Sequence, residues 1–161
     1  MKIGVLSDTH LHRSERDLRL ICDRYLGDVD LIFHAGDFVS SEIIAFLNRK
    51  PFHGVQGNMD CVEVKMSLPE KKVVEIGGYR IGLIHGWGSP EGLEEKIMDE
   101  FRDVDAIVYG HSHKPANHFK EGVLFFNPGT VTGFSRTGLH TLGILECADS
   151  IRGEIIEVDA C

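Results

Sequence analysis

The chain has 161 residues, 42% of them hydrophobic and 26% charged, the proportions of an ordinary soluble domain, and its length predicts a single domain over residues 1–161. Seventeen basic residues against 25 acidic ones leave a formal charge of −8, which argues against a nonspecific nucleic-acid binder with a basic face and against a protein held to anionic membranes by Lys/Arg clusters. The apolar run Ile3-Gly4-Val5-Leu6 stops at Ser7-Asp8, short of the roughly 7–15-residue core of a signal peptide. No stretch approaches the roughly 18 apolar residues of a membrane span. Cys22, Cys61, Cys147 and Cys161 form no C-x-x-C pair and read as reduced, mostly buried thiols of a cytoplasmic protein.

Taken in chain order, apolar β-branched runs alternate with helical patterns. Residues 2–6 read as a strand. Ser14, with Asp17 three residues on, resembles a capping box, and Leu18, Ile21, Cys22 and Tyr25 follow at helical spacing. Residues 30–35 form a second strand, 41–48 a short helix with Ile43, Ile44 and Leu47, and 52–56 a weaker third strand. Runs 72–76 and 79–84 flank Gly77-Gly78, a hairpin signal. Ser89-Pro90 marks a helix start, with Leu93, Ile97, Met98 and Phe101 on its apolar face. Residues 105–109 read as a strand. Short β runs at 117–120, 123–126, 140–146 and 151–158 then suggest an antiparallel meander behind a βαβ-rich front half.

Five of the β runs end alike. They lead into Asp8-Thr9-His10, Gly36-Asp37, Gly57-Asn58-Met59-Asp60, His85-Gly86 and Gly110-His111-Ser112-His113. Ligands of open α/β sheets bind beyond the carboxyl ends of the strands, so these ends are placed to converge. Each Asp, Asn or Gly alone is an ordinary turn former, but turn chemistry does not call for four histidines at such positions. The set Asp8, His10, Asp37, Asn58, His85, His111 and His113 suits two divalent transition ions, because imidazole with carboxylate favours Mn, Fe, Zn or Ni over Ca or Mg. Seven ligands fill two shells only if one carboxylate bridges. Two dications outweigh two aspartates and a bridging hydroxide, so the site stays positive and attracts an anion such as a phosphate ester.

These motifs, in this order, resemble the calcineurin-like metallophosphoesterase superfamily. The small size and Asn127-Pro128-Gly129-Thr130 after Gly-His-Ser-His are similar to its compact bacterial and archaeal phosphodiesterase branch. The resemblance implies an α/β fold, a four-layer α-β-β-α sandwich with two mixed sheets packed face to face. It implies one ion on Asp8, His10, Asp37 and His113 and another on Asp37, Asn58, His85 and His111, with Asp37 bridging and Mn the first choice. The implied reaction is attack of a metal-bridging hydroxide on a phosphate diester, with the Asn58 amide also reaching the ester.

Many members of the superfamily carry a His after Gly-Asn that assists the leaving group. Here the residue is Met59, which cannot, and Asp60 or His12 is the candidate acid, with a surface role preferred for His12. Trp87 is read equally as a stacking wall for substrate or as a packing residue, His34 as a hydrogen-bonded core residue, and Arg136 as a weak phosphate contact. Three alternatives stand beside the phosphodiesterase. One is a metal-binding interaction scaffold, as a small eukaryotic retromer subunit of similar fold is; the others are a phosphomonoesterase and a DNA nuclease, the last disfavoured by charge. Expected partners are a small phosphate ester and a second copy of the chain, with no membrane and no nonspecific nucleic acid.

Overall fold

The computed structural model describes residues 1–13 and 16–159. In chain order the elements are β1 (Lys2–Leu6), α1 (Arg16–Tyr25), β2 (Leu31–His34), α2 (Ser41–Leu47), β3 (Phe52–Gly54), α3 (Val62–Ser67), β4 (Lys71–Ile76), β5 (Tyr79–Ile84), α4 (Leu93–Met98), β6 (Ala106–Val108), β7 (Ala116–Lys120), β8 (Val123–Asn127), β9 (Thr141–Cys147) and β10 (Ile151–Glu157). One five-stranded sheet has the order β10-β9-β1-β2-β3 and the other β4-β5-β6-β8-β7. Each has three parallel strands, β1-β2-β3 and β5-β6-β8, flanked by antiparallel ones.

Burial explains the layering. Strands covered on both faces read as continuous apolar runs, and β1, β2 and β6 are of this kind. Ile3, Val5, Phe33, Ile81, Leu83, Val108, Phe126 and Leu145 meet between the sheets. Leu6, Ile32 and Leu142 face the other way, against Leu18 and Ile21 of α1, Ile43 and Leu47 of α2 and Val64 of α3. Ile84, Ile107 and Phe125 pack on Leu93 and Ile97 of α4. Three cores thus separate four layers, α-β-β-α, as the family resemblance implies. Gly143 and Gly153 seat the Phe126 ring between the sheets: a Cβ at either would lie 2.3 or 2.4 Å from it. Full burial of such a ring contributes about 1.5–3 kcal/mol.

Three expectations need correction. The last four strands are not one meander, because β7 and β8 join the second sheet whereas β9 and β10 return to the first, with β8 parallel to β6. The helix expected from Ser89-Pro90 begins at Leu93, because Gly92 adopts left-handed backbone (φ 66°) that separates the Pro90–Leu93 turn from the helix. Helix α3 was not foreseen: it has six residues and buries only Val64, too little for a visible period. The Ser14 cap and Cys161 lie outside the described residues. Cys22 and Cys147 are buried free thiols and Cys61 is half-buried; burial pushes the Cys22 thiol up to about 12.

Candidate metal centre

The carboxyl ends of β1, β2 and β3 in one sheet and of β5 and β6 in the other open on the same edge of the sandwich. Each is followed at once by one of the five motifs. The chain leaves these strands by tight left-handed turns: Asp8, His10, Asp37, His111 and His113 all have φ between 50° and 66°. Such backbone is uncommon for residues with a side chain and clusters at functional sites, where the surroundings hold it in place. Here backbone bonds do so, from Asp8 N–H to Gly36 O (3.0 Å), from His10 N–H to Asp37 O (3.0 Å) and from Gly110 N–H to His85 O (3.1 Å).

Two groups of lone pairs result. One ligand atom each from Asp8, His10, Asp37 and His113 lies within 4.8 Å of the others. Asp8 Oδ1 is 3.0 Å from His113 Nε2 and 3.8 Å from His10 Nε2, and Asp37 Oδ2 is 3.7 Å from His10 Nε2. In the second group Asp37 Oδ2 is 3.3 Å from His85 Nε2, while Asn58 Oδ1 lies 3.2 Å from His85 Nε2 and 3.1 Å from His111 Nδ1. Asp37 Oδ2 therefore belongs to both. Its other oxygen, Oδ1, is pinned by the Met59 N–H at 2.7 Å.

Backbone carbonyls fix which nitrogen His85, His111 and His113 turn inward. His85 Nδ1 donates to Ala35 O (2.7 Å), His113 Nδ1 to Phe134 O (2.6 Å) and His111 Nε2 to Gly88 O (2.8 Å). Each ring, when neutral, then presents a lone pair to the centre. Acceptors facing acceptors need a cation between them. His10 Nε2 and His113 Nε2 lie only 3.3 Å apart, and Asp8 Oδ1 is fully buried without a hydrogen bond of proper geometry. The donor set fits divalent metal, and Asp8, His10, Asp37, Asn58, His85, His111 and His113 could hold it. Without metal, protons take its place. Burial works against a charged His85, but the Asp37 contact and the charges of Asp8 and Asp37 outweigh it and raise its pKa. The Asp8 contact likewise raises His113. Burial alone would raise the Asp8 carboxyl, yet His10, His113, His85 and the Ser7 hydroxyl together hold it well below the usual carboxylate range.

The contacts that support these residues leave no mark in the sequence. Ser7 Oγ donates to Asp8 Oδ2 (2.6 Å) and Thr130 Oγ1 to Asp8 O (2.8 Å). Asn127 Nδ2 donates to Gly110 O and Ser112 Oγ, both at 3.0 Å, and its Oδ1 accepts from Gly129 N–H. The Asn127-Pro128-Gly129-Thr130 motif thus braces the Gly-His-Ser-His loop and the Asp8 turn. Asp60 does not face the centre as a free acid. Buried, it accepts N–H bonds from Gly57 (2.7 Å), Asp37 (3.2 Å) and Val39 (2.7 Å). Burial raises its carboxyl, but the geometry makes it a positioning residue for the Gly57 and Asp37 turns. His12 is exposed, and Arg136 lines a separate groove with Glu94 and His118. His34 is wholly buried, hydrogen-bonded to Gly36 N–H and stacked on Phe38 at 3.7 Å; burial drives its pKa to about 3, so it stays neutral. Trp87 is 45% exposed and so is not a core residue.

Residues 1–150 match the calcineurin-like phosphoesterase superfamily domain. The chain belongs to that superfamily. It is 32% identical to a probable metallophosphoesterase of Methanocaldococcus jannaschii, over 99% of this chain and 82% of the relative. A phosphodiesterase of the same organism is 30% identical over 97% of this chain and 99% of its own length. Among solved structures, an archaeal phosphodiesterase is 28% identical with a TM-score of 0.79, covering 98% of this chain and all of that one. Vps29 from Entamoeba histolytica, in complex with Zn²⁺, is 27% identical with a TM-score of 0.73, covering 98% and 99%. This superfamily member is a metal-dependent phosphoesterase built on the α/β sandwich described above. Among its described residues no helix is long and apolar enough to cross a membrane.

Proposed function

We propose that the protein is a binuclear phosphodiesterase, carried on one domain. The observation that carries this reading is the single oxygen, Asp37 Oδ2, shared by two groups of inward-facing acceptors. One ion would sit on Asp8, His10, Asp37 and His113, and a second on Asp37, Asn58, His85 and His111, with Mn²⁺ the first choice and Ni²⁺, Fe²⁺ or Zn²⁺ the alternatives. When bound, such ions supply Lewis-acid polarisation of phosphoryl oxygens and an acidified water as nucleophile.

The chain's own part is to hold these ligands rigidly and to orient the ester. The carbonyl clamps on His85, His111 and His113 prevent the rings from turning, and the Met59 N–H keeps Asp37 from rotating. Asn58, exposed at the rim, has an amide N–H to offer a phosphoryl oxygen. Met59 has no ionisable proton to give the leaving oxygen, and the Asp60 oxygens are taken by backbone N–H groups. Diesters with stable leaving anions should therefore react best. The phosphodiesterases among the relatives support a diester over a monoester substrate.

The Vps29 neighbours favour a second reading, a metal-binding scaffold of the same fold. Metal binding does not separate the two, but turnover does. The test is hydrolysis of bis-p-nitrophenyl phosphate and p-nitrophenyl phosphate by purified protein loaded in turn with Mn²⁺, Ni²⁺ and Zn²⁺. The proposal expects metal-dependent turnover with the diester preferred. Preference for the monoester would shift the reading to a phosphomonoesterase, and no turnover with any ion would favour the scaffold. A cytoplasmic location and a homo-oligomeric state complete the proposal.

A further inference from the structure

Beside the centre lies a groove of ≈ 620 Å³, lined by the candidate ligands Asn58 and His85 together with Trp87, Lys65, Lys71 and Glu100. Its volume is that of a small-molecule site. Trp87 stands between Gly86 and Gly88, 45% exposed, and Gly88 O is the acceptor that fixes His111. The indole is thus tied by one backbone step to the centre. Lys65 donates to Asn58 O at 3.0 Å, and Lys71 is ion-paired with Glu100. With Glu70 also on the wall, the groove carries two charges of each sign. That balance gives no place for a second phosphate, whereas an exposed indole face offers a stacking surface for an uncharged planar ring.

We infer that Trp87 is a specificity-determining residue, and that the groove takes one ester arm bearing a planar aromatic group, a nucleobase or an aryl ring. This rests on the phosphoesterase reading and narrows its substrate class. The leaving of a methyl or other small alkyl arm would gain nothing from the groove, so the preference is read in binding and not only in rate.

Trp87 is the only tryptophan of the chain, so its emission reports the groove alone. The experiment titrates Mn²⁺-loaded protein with adenosine 5′-monophosphate, phenyl phosphate and methyl phosphate, following Trp87 emission and competitive inhibition of diester hydrolysis. A ring-bearing phosphate should quench the emission saturably while methyl phosphate does not. Response to the nucleotide identifies a nucleobase arm, and response to phenyl phosphate alone an aryl arm. Trp87→Ala should weaken inhibition by the ring-bearing ligand roughly tenfold, the scale of losing one aromatic stack, with methyl phosphate unchanged and Trp87→Phe restoring most of it. Equal quenching by methyl phosphate, or inhibition by all three ligands unaffected in Trp87→Ala, overturns the inference. Absence of diester hydrolysis in the wild-type protein would instead overturn the phosphodiesterase reading, and the emission titration still decides the groove by itself.

Discussion

Gly57→Ala changes no candidate ligand, yet it should disable the centre. A Cβ at Gly57 would stand 2.2 Å from Asp37 Oδ1 and 2.4 Å from Asp37 N, more than 1 Å inside ordinary contact. Neither atom can yield cheaply. One is backbone, and the other is held by the Met59 N–H at 2.7 Å. Accommodation requires the 57–60 loop to move, which breaks the 2.7 Å bond from Gly57 N–H to Asp60 Oδ2. Overpacking costs about 1–3 kcal/mol, and a lost hydrogen bond to a charged group about 1.5–3 kcal/mol, so destabilisation of roughly 3–5 kcal/mol follows. For a chain of this size that is about 10 °C in Tm. Displacing a group that orients a ligand also lowers metal affinity about 10–100-fold. Differential scanning calorimetry and Mn²⁺ titration by isothermal calorimetry measure the two effects. A variant with wild-type Tm and wild-type affinity would show that Asp37 is not packed against this loop, and the positioning argument would fail.

Asp37→Ala should abolish turnover and weaken both metal sites, whereas His10→Ala should weaken one; equal losses in the two variants, read by metal titration, would remove Asp37 as the bridge. With Met59 after Asn58 and the Asp60 oxygens bonded to backbone N–H groups, log rate across substituted phenyl diesters should fall steeply with leaving-group pKa. Met59→His should flatten that slope while Asp60→Asn, altering only a positioning group, should leave it steep; a shallow wild-type slope would reveal another acid. Stability should depend on pH in opposite senses with and without metal. His85 and His113 are raised in the metal-free protein, so their ion pairs stabilise it fully below the ordinary His value of about 6.5 and are lost as pH climbs through the raised values. Metal needs neutral imidazoles, so Tm of the metal-free protein should drop from pH 6 to 8 while that of the Mn²⁺-loaded protein rises; parallel pH trends would contradict the ion-pair account.

What the sequence made legible was the site more than the path of the chain. Asp8, His10, Asp37, Asn58, His85, His111 and His113 could be picked out because five apolar β runs each lead at once into a short motif of Asp, Asn, His and Gly residues. The groups that orient them were hidden, since the partners of His85, His111 and His113 are the backbone carbonyls of Ala35, Gly88 and Phe134 respectively, which leave no mark on residue identity. Asp60 illustrates the same point: an acid beside Met59 suggests chemistry, and only the fold reveals three backbone N–H groups around it. In the fold, buried strands such as β1 and β6 announced themselves by unbroken apolar runs. The apolar runs of β8 and β9 cannot say which of two sheets a strand joins, and α3 exposes Val62 and Met66, so its apolar pattern carries no visible period.

The central claim is that Asp37 joins two metal sites, and metal counting tests it most directly. Protein loaded with excess Mn²⁺, freed of unbound ion by gel filtration and measured by elemental analysis and native mass spectrometry, should carry close to two ions per chain. Asp37→Ala treated in the same way should carry well under one. A wild-type chain that retains a single ion, or an Asp37→Ala chain that retains two, would contradict the account.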